Sequence, residues 1–180
     1  MRYEVIFAGI GGQGVILAGT LLGEAAVRCG LKATQTQAYG VSARGGFTKT
    51  DLIVSDEEIL YPYSLNPNLI IALAEEAFMR YIDVNGDACK VIYDSGLIDV
   101  KSIGFSLDKR FVGVPITNIA VELGSPRSVN ILSLGIAASF IKDISFDALR
   151  ETLSETFSAN ALEKNIEALS KGIELGRSML

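Results

Sequence analysis

The 180-residue sequence has no histidine, no tryptophan and only two cysteines. Each absence closes a class of chemistry. Without an imidazole there is no Ser-His-Asp or Cys-His constellation and no histidine metal ligand. Cys29 and Cys89 lie far apart and cannot supply the four thiolates of an ordinary iron–sulfur cluster. Both are expected to be small buried thiols, unbridged in a reducing compartment. Basic residues are outnumbered, 16 Lys and Arg against 21 Asp and Glu, for a net charge of -5. Duplex binding rests on Lys and Arg contacts to phosphates, so no nucleic-acid partner is expected. No apolar run reaches the roughly 20 residues of a membrane helix. The chain opens on a strand pattern rather than a signal peptide, so no membrane and a cytoplasmic location are expected.

What is present points to a packed α/β protein. Hydrophobic residues make up 49% and mean hydropathy is +0.35. That suffices for the core of one domain over residues 1–180, and implies some apolar surface covered by a partner. Residues 3–8 read as a strand buried on both faces. Residues 13–29 carry helical spacing, with Gly30 as a stop. Strands are expected at 31–38, 47–55, 68–74, 89–93 and 111–114, with a brief hairpin return at 59–61. Helices are expected at 75–83, closed by Asn85-Gly86, and at 118–123, 129–141, 145–157 and 160–178. Ser145 is the N-cap expected for its helix. The alternation implies a Rossmann-like, doubly wound and mostly parallel sheet with a helical C-terminal portion.

Two glycine-rich turns stand out. Gly9-Ile10-Gly11-Gly12-Gln13-Gly14 lies between the first strand and the first helix. This is the order of a dinucleotide-binding turn, where glycines let the backbone approach a phosphate and helix N–H groups face it. A nicotinamide dinucleotide would also need a carboxylate near the end of the second strand. That position reads Gln35-Thr36-Gln37-Ala38, which argues against it. No Gly-Lys-Ser/Thr follows, so this is not a Walker loop. The second turn runs from Tyr39-Gly40 through Arg44-Gly45-Gly46. A guanidinium there could hold a phosphate or carboxylate through paired hydrogen bonds. The same glycines could instead serve close packing, and Arg44 could be an ordinary surface arginine. Gln13, polar where an apolar residue would pack more cheaply, and the Gly45-Gly46 pair favour a site. Asp94, at a strand end, reads as a turn residue before Ser95-Gly96. No self-sufficient catalytic set is visible, and no metal site.

Further blocks follow in order: Val54-Ser55-Asp56-Glu57-Glu58-Ile59, Tyr93-Asp94-Ser95, Val114-Pro115 with Ile119-Ala120, and Leu123-Gly124 through Asn130 to Leu134-Gly135. With the glycine turns, they make the chain resemble the gamma subunits of 2-oxoacid:ferredoxin oxidoreductases, the pyruvate/ketoisovalerate type, and most of all that of the 2-oxoglutarate enzyme. The resemblance spans nearly the whole chain. One departure is Val41-Ser42-Ala43, where family members often carry a proline and an acidic residue. The resemblance implies a complex that converts a 2-oxo acid and coenzyme A to an acyl-CoA and carbon dioxide, passing electrons to ferredoxin. It implies alpha and beta subunit partners, and in some complexes a ferredoxin-like delta subunit. Thiamine diphosphate, magnesium and the iron–sulfur clusters would lie on those partners, with no cofactor on this chain and coenzyme A as co-substrate. Gly9, Gly11 to Gly14, Tyr39, Gly40 and Arg44 to Gly46 would face the assembled active region, against a partner loop or the coenzyme A phosphates. The alternatives are a free-standing nucleotide-binding module, a purely structural subunit, and the beta chain of an indolepyruvate oxidoreductase. Without partners, an exposed apolar face could pair two copies.

Overall fold

The computed structural model describes residues 1–40, 45–83, 89–104 and 108–180. Six strands form one sheet: β1 (Arg2–Ile10), β2 (Lys32–Tyr39), β3 (Phe47–Ser55), β4 (Leu69–Ala72), β5 (Lys90–Asp94) and β6 (Phe111–Val114). Seven helices accompany them among the described residues: α1 (Val15–Arg28), α2 (Glu75–Tyr81), α3 (Val100–Ile103), α4 (Ile116–Glu122), α5 (Val129–Ser139), α6 (Phe146–Thr156) and α7 (Ala159–Arg177). A 3-10 turn, Pro126–Ser128, leads into α5.

The strand order is β2-β3-β1-β4-β5-β6. The pairs β1–β4, β4–β5 and β5–β6 are parallel, as expected for strands joined through helices. The strand β3 runs antiparallel to both neighbours, inserted between β2 and β1. The cause is local. Only seven residues separate β2 from β3, fewer than a parallel crossover needs, so the chain returns antiparallel. The sheet is thus mostly parallel but not uniformly so. The expected return at 59–61 does not form a strand. Its partner positions on β3 are already taken by β1 and β2. The proposed helix stop at Asn85-Gly86 lies outside the described residues.

The sheet is covered on both faces. On one, Val5, Phe7, Leu52, Leu69 and Ile71 meet apolar residues of α1, α5, α6 and α7. On the other, Ile6, Ala8, Ile70 and Tyr93 meet Ala77 and Phe78 of α2 and Ile98. The α5 helix is the innermost, buried from Asn130 to Ala138. It packs on α7 backbone to backbone through Gly135 and Gly172: a Cβ on Gly172 would lie 2.2 Å from Leu132 O. Ser145 caps α6 as expected, accepting from Ala148 N at 3.2 Å. No described helix is long and apolar enough to cross a membrane.

Candidate functional site

The carboxyl ends of β1, β2, β4, β5 and β6 share one edge of the sheet, where ligands bind in open α/β folds. At this edge β1 ends and the first glycine turn begins. Gly12 (φ 102°) and Gly14 (φ 71°) both take left-handed conformations that L side chains rarely adopt. Gly14 is the N-cap of α1, with no side chain to cap the helix. The first N–H groups of α1 are therefore open to a partner from outside the helix.

Gln13 lies inside this turn. Its Oε1 accepts from Ile10 N at 2.8 Å, and its Nε2 donates to Leu73 O at 2.8 Å. The carboxamide bolts the turn to the end of β4. Its polarity, taken from sequence as a sign of a site, has this bracing role. Gly9 lies in β1 opposite Thr48. Asp94 is also spent internally: Oδ1 accepts from Gly96 N at 3.0 Å, and Oδ2 from Thr117 N at 3.1 Å and from the Thr117 hydroxyl. It ties the end of β5 to the start of α4.

The second glycine turn meets the first. Gly11 N donates to Gly46 O at 2.9 Å, and Gly40 N donates to Phe47 O across the hairpin. Tyr39 is exposed, its hydroxyl donating to Gln37 Oε1 at 3.0 Å. Of the residues singled out in sequence, Gly9, Gly11, Gly12, Gln13, Gly14, Tyr39, Gly40, Gly45 and Gly46 lie at this edge. Arg44 lies outside the described residues.

Two hollows flank the first turn. The larger, about 790 Å³, lies between the start of α1 and the tips of β2 and β3, with walls that include Val15, Ile16, Leu17 and Tyr39. The smaller, about 490 Å³, is lined by Gly12 to Gly14, Thr117, Arg127 and Asn130. Among the described residues, no carboxylate lines either one. The N-termini of α1 and α5 both open on the smaller hollow, and each favours an anion. Asn130 is 6% exposed, and its carboxamide lines the hollow without a hydrogen bond to another described residue. Its Nδ2 stands 2.7 Å from where a Cβ on Gly14 would be. Asn130 was missed as a site residue in sequence. The available signal was a lone carboxamide at the start of an otherwise apolar helix.

A dinucleotide fits this geometry poorly. With β3 inserted, β2 stands two strand spacings, roughly 10 Å, from β1. The position that would meet a ribose has moved away and carries no carboxylate. The two cysteines are also apart, Cys29 at the end of α1 and Cys89 ahead of β5. They do not fit an iron–sulfur cluster.

Comparison with known proteins agrees with this arrangement. Residues 4–175 match the family described as pyruvate ferredoxin/flavodoxin oxidoreductase. The chain is 34% identical over 181 residues to the 2-oxoglutarate synthase subunit KorC of Methanocaldococcus jannaschii, covering 99% of this chain and 96% of that protein. It superposes with a TM-score of 0.79 and 29% identity on the gamma subunit of a keto/oxoacid ferredoxin oxidoreductase from Geobacter sulfurreducens, over 98% and 99% of the two chains. A third match is the 2-oxoglutarate:ferredoxin oxidoreductase of Magnetococcus marinus, solved with 2-oxoglutarate, coenzyme A and succinyl-CoA bound. There the TM-score is 0.85 and the identity 25%, over 98% of this chain but 31% of that longer one. The indolepyruvate alternative is weaker, at 22% identity to subunit IorB of Archaeoglobus fulgidus. The chain belongs to the pyruvate ferredoxin/flavodoxin oxidoreductase family, as a gamma-type subunit of a 2-oxoacid:ferredoxin oxidoreductase.

Proposed function

We propose that this subunit serves a cytoplasmic 2-oxoglutarate:ferredoxin oxidoreductase and that its glycine-turn edge receives coenzyme A. The carrying observation is the smaller hollow, where two helix N-termini, Arg127 and Asn130 converge with no carboxylate among the described residues. A phosphate suits all four. Backbone N–H groups and a helix end stabilise it, and the Asn130 Nδ2 donates to it. The larger hollow, walled mostly by apolar side chains and backbone, suits an uncharged part of the same molecule. Gly11, Gly40, Gly45 and Gly46 keep the backbone low enough for that approach.

The role assigned to the chain is binding and orientation. Thiamine diphosphate, on the alpha and beta partners, would supply the electron sink for decarboxylation. Iron–sulfur clusters on the beta or a ferredoxin-like delta chain would carry the electrons. The 2-oxoglutarate preference rests on the KorC relatives and on the Magnetococcus enzyme.

The test is Asn130→Ala in the reconstituted complex. A hydrogen bond to a charged group contributes about 1.5–3 kcal/mol, so the KM for coenzyme A should rise about 10- to 150-fold. The KM for the 2-oxo acid should not move. Because the lost carboxamide has no partner within the chain, Tm should stay the same or rise. An unchanged KM for coenzyme A overturns the assignment.

A further inference from the structure

We propose that the segment between β3 and β4, residues 56–68, is a preformed docking knob for another subunit of the complex, one offering an apolar hollow rimmed by Lys or Arg. The proposal rests on the chain working as a subunit.

The segment carries four large apolar side chains within six residues, all facing water. Leu60 is 87% exposed, Tyr61 49%, Tyr63 52% and Leu65 66%. The Tyr61 and Tyr63 rings lean on each other, centroids 5.6 Å apart. Single exposed apolar residues are ordinary, but a contiguous group marks an interaction surface. Tyrosines that bury area at little cost in side-chain freedom are characteristic of such surfaces.

The segment has neither helix nor strand, yet it is held firmly. The buried Glu4 carboxylate accepts from Ser64 Oγ at 2.8 Å, Leu65 N at 2.9 Å and Asn66 N at 3.0 Å through one oxygen. Its other oxygen accepts from Arg2 Nε at 2.8 Å. The Glu4 backbone pairs with Asn68 on both sides: Glu4 N donates to Asn68 Oδ1 and Asn68 N to Glu4 O, each at 2.8 Å. At the other end, Asp56 N donates to Met1 O at 3.1 Å and Glu57 N to Ser55 Oγ at 3.0 Å. A carboxylate that is only 5% exposed, on the first strand, thus fixes the shape of an exposed apolar loop. Order present before binding removes an entropic cost from association.

Charge selects the occupant. Glu57 and Glu58 are exposed beside the apolar residues and form no salt bridge among the described residues. A two-fold contact between copies would set these acids against themselves. Like charges face to face oppose association, whereas a basic rim on the other protein attracts and orients it. The chain's own net charge of -5 acts in the same sense. The knob sits at the amino-terminal ends of β1 and β4. The glycine turns lie at the far end of the nine-residue β1, about 27 Å away. Docking here leaves the coenzyme A edge uncovered.

The test co-expresses the full chain with the other subunits and compares wild type, the triple variant Leu60→Ser/Tyr61→Ser/Leu65→Ser, and the double variant Glu57→Lys/Glu58→Lys. All five positions are exposed, so the Tm of each isolated chain should match wild type. The triple variant should lose about tenfold or more in affinity for the other subunits. The double variant should weaken binding most at low salt, where charge steering is strongest. Equal retention of all three chains overturns the proposal. So does a wild-type chain that pairs with itself and a triple variant that does not, since the occupant is then a second copy. A wild-type chain that retains no subunit refutes the complex itself and takes the proposal with it.

Discussion

Gly172→Ala should destabilise the protein, although helix propensity alone predicts the reverse. Gly172 lies within the long helix α7, where alanine in place of glycine ordinarily gains about 1 kcal/mol. Here the new Cβ would stand 2.2 Å from Leu132 O and 3.0 Å from both Gly135 Cα and Ile136 N. All three neighbours are backbone atoms of α5, so no side chain can turn aside. The two helices must part by about 1 Å, and α5 is buried between the sheet and α7, with no slack on its far side. Overpacking costs about 1–3 kcal/mol where side chains can give. Backbone against backbone belongs at the upper end of that range. Against the propensity gain, the net loss is about 2 kcal/mol. For a chain of this length that is a fall in Tm of about 4–8 °C. Thermal unfolding followed by circular dichroism reads it directly. Ser170→Ala, exposed on the same helix, is the control and should be neutral or slightly stabilising. A Gly172→Ala chain with an unchanged or higher Tm would refute the close packing.

Acid should loosen the docking knob before the fold is lost. Burial pushes the Glu4 carboxyl up, but hydrogen bonds from Ser64, Asn66 and Arg2 together outweigh it, and the group sits below its ordinary 4.5. A carboxyl depressed in the folded state gives stability that is present above its unfolded value and is lost as pH falls through its folded value. The amides of Leu65 and Asn66 should therefore keep their protection from hydrogen exchange at pH 5 and lose it only as pH falls below the ordinary glutamate value. In Glu4→Gln that acid transition should vanish, and its persistence would show that another group holds the loop. Burial pushes the Cys89 thiol up to about 11. Since the thiolate is the nucleophile, Cys89 should resist alkylation at pH 7.5 until the chain is unfolded. Rapid labelling in the native state would contradict that burial.

Much of the fold was legible because its signals are local. The apolar run of β1, the helical spacing after Gly14, the Ser145 cap and the all-apolar α5 each lie within a few residues of one another. The position of β3 was not legible. A hairpin from β2 to β3 can be read from the short loop, but which strand edge it joins depends on surfaces brought together by folding. The same holds at the site. The glycines announced themselves by spacing, whereas the meeting of Gly11 with Gly46 joins two turns that the sequence separates. The hidden role of Gln13 depends on Leu73, and the place of Asn130 on the hollow shows only once α5 is laid against Gly14.

By itself, then, the amino-acid order determined the α/β class, the missing imidazole and cluster chemistry, and the two glycine turns, since composition and short-range periodicity need no folded partner. Tertiary structure alone decided that these turns interlock, that the helix ends of α1 and α5 share one hollow, and that Glu4 shapes a loop some sixty residues away. Those facts depend on contacts between segments distant in sequence, and only packing of the sheet and its two helical layers brings such segments within hydrogen-bond reach.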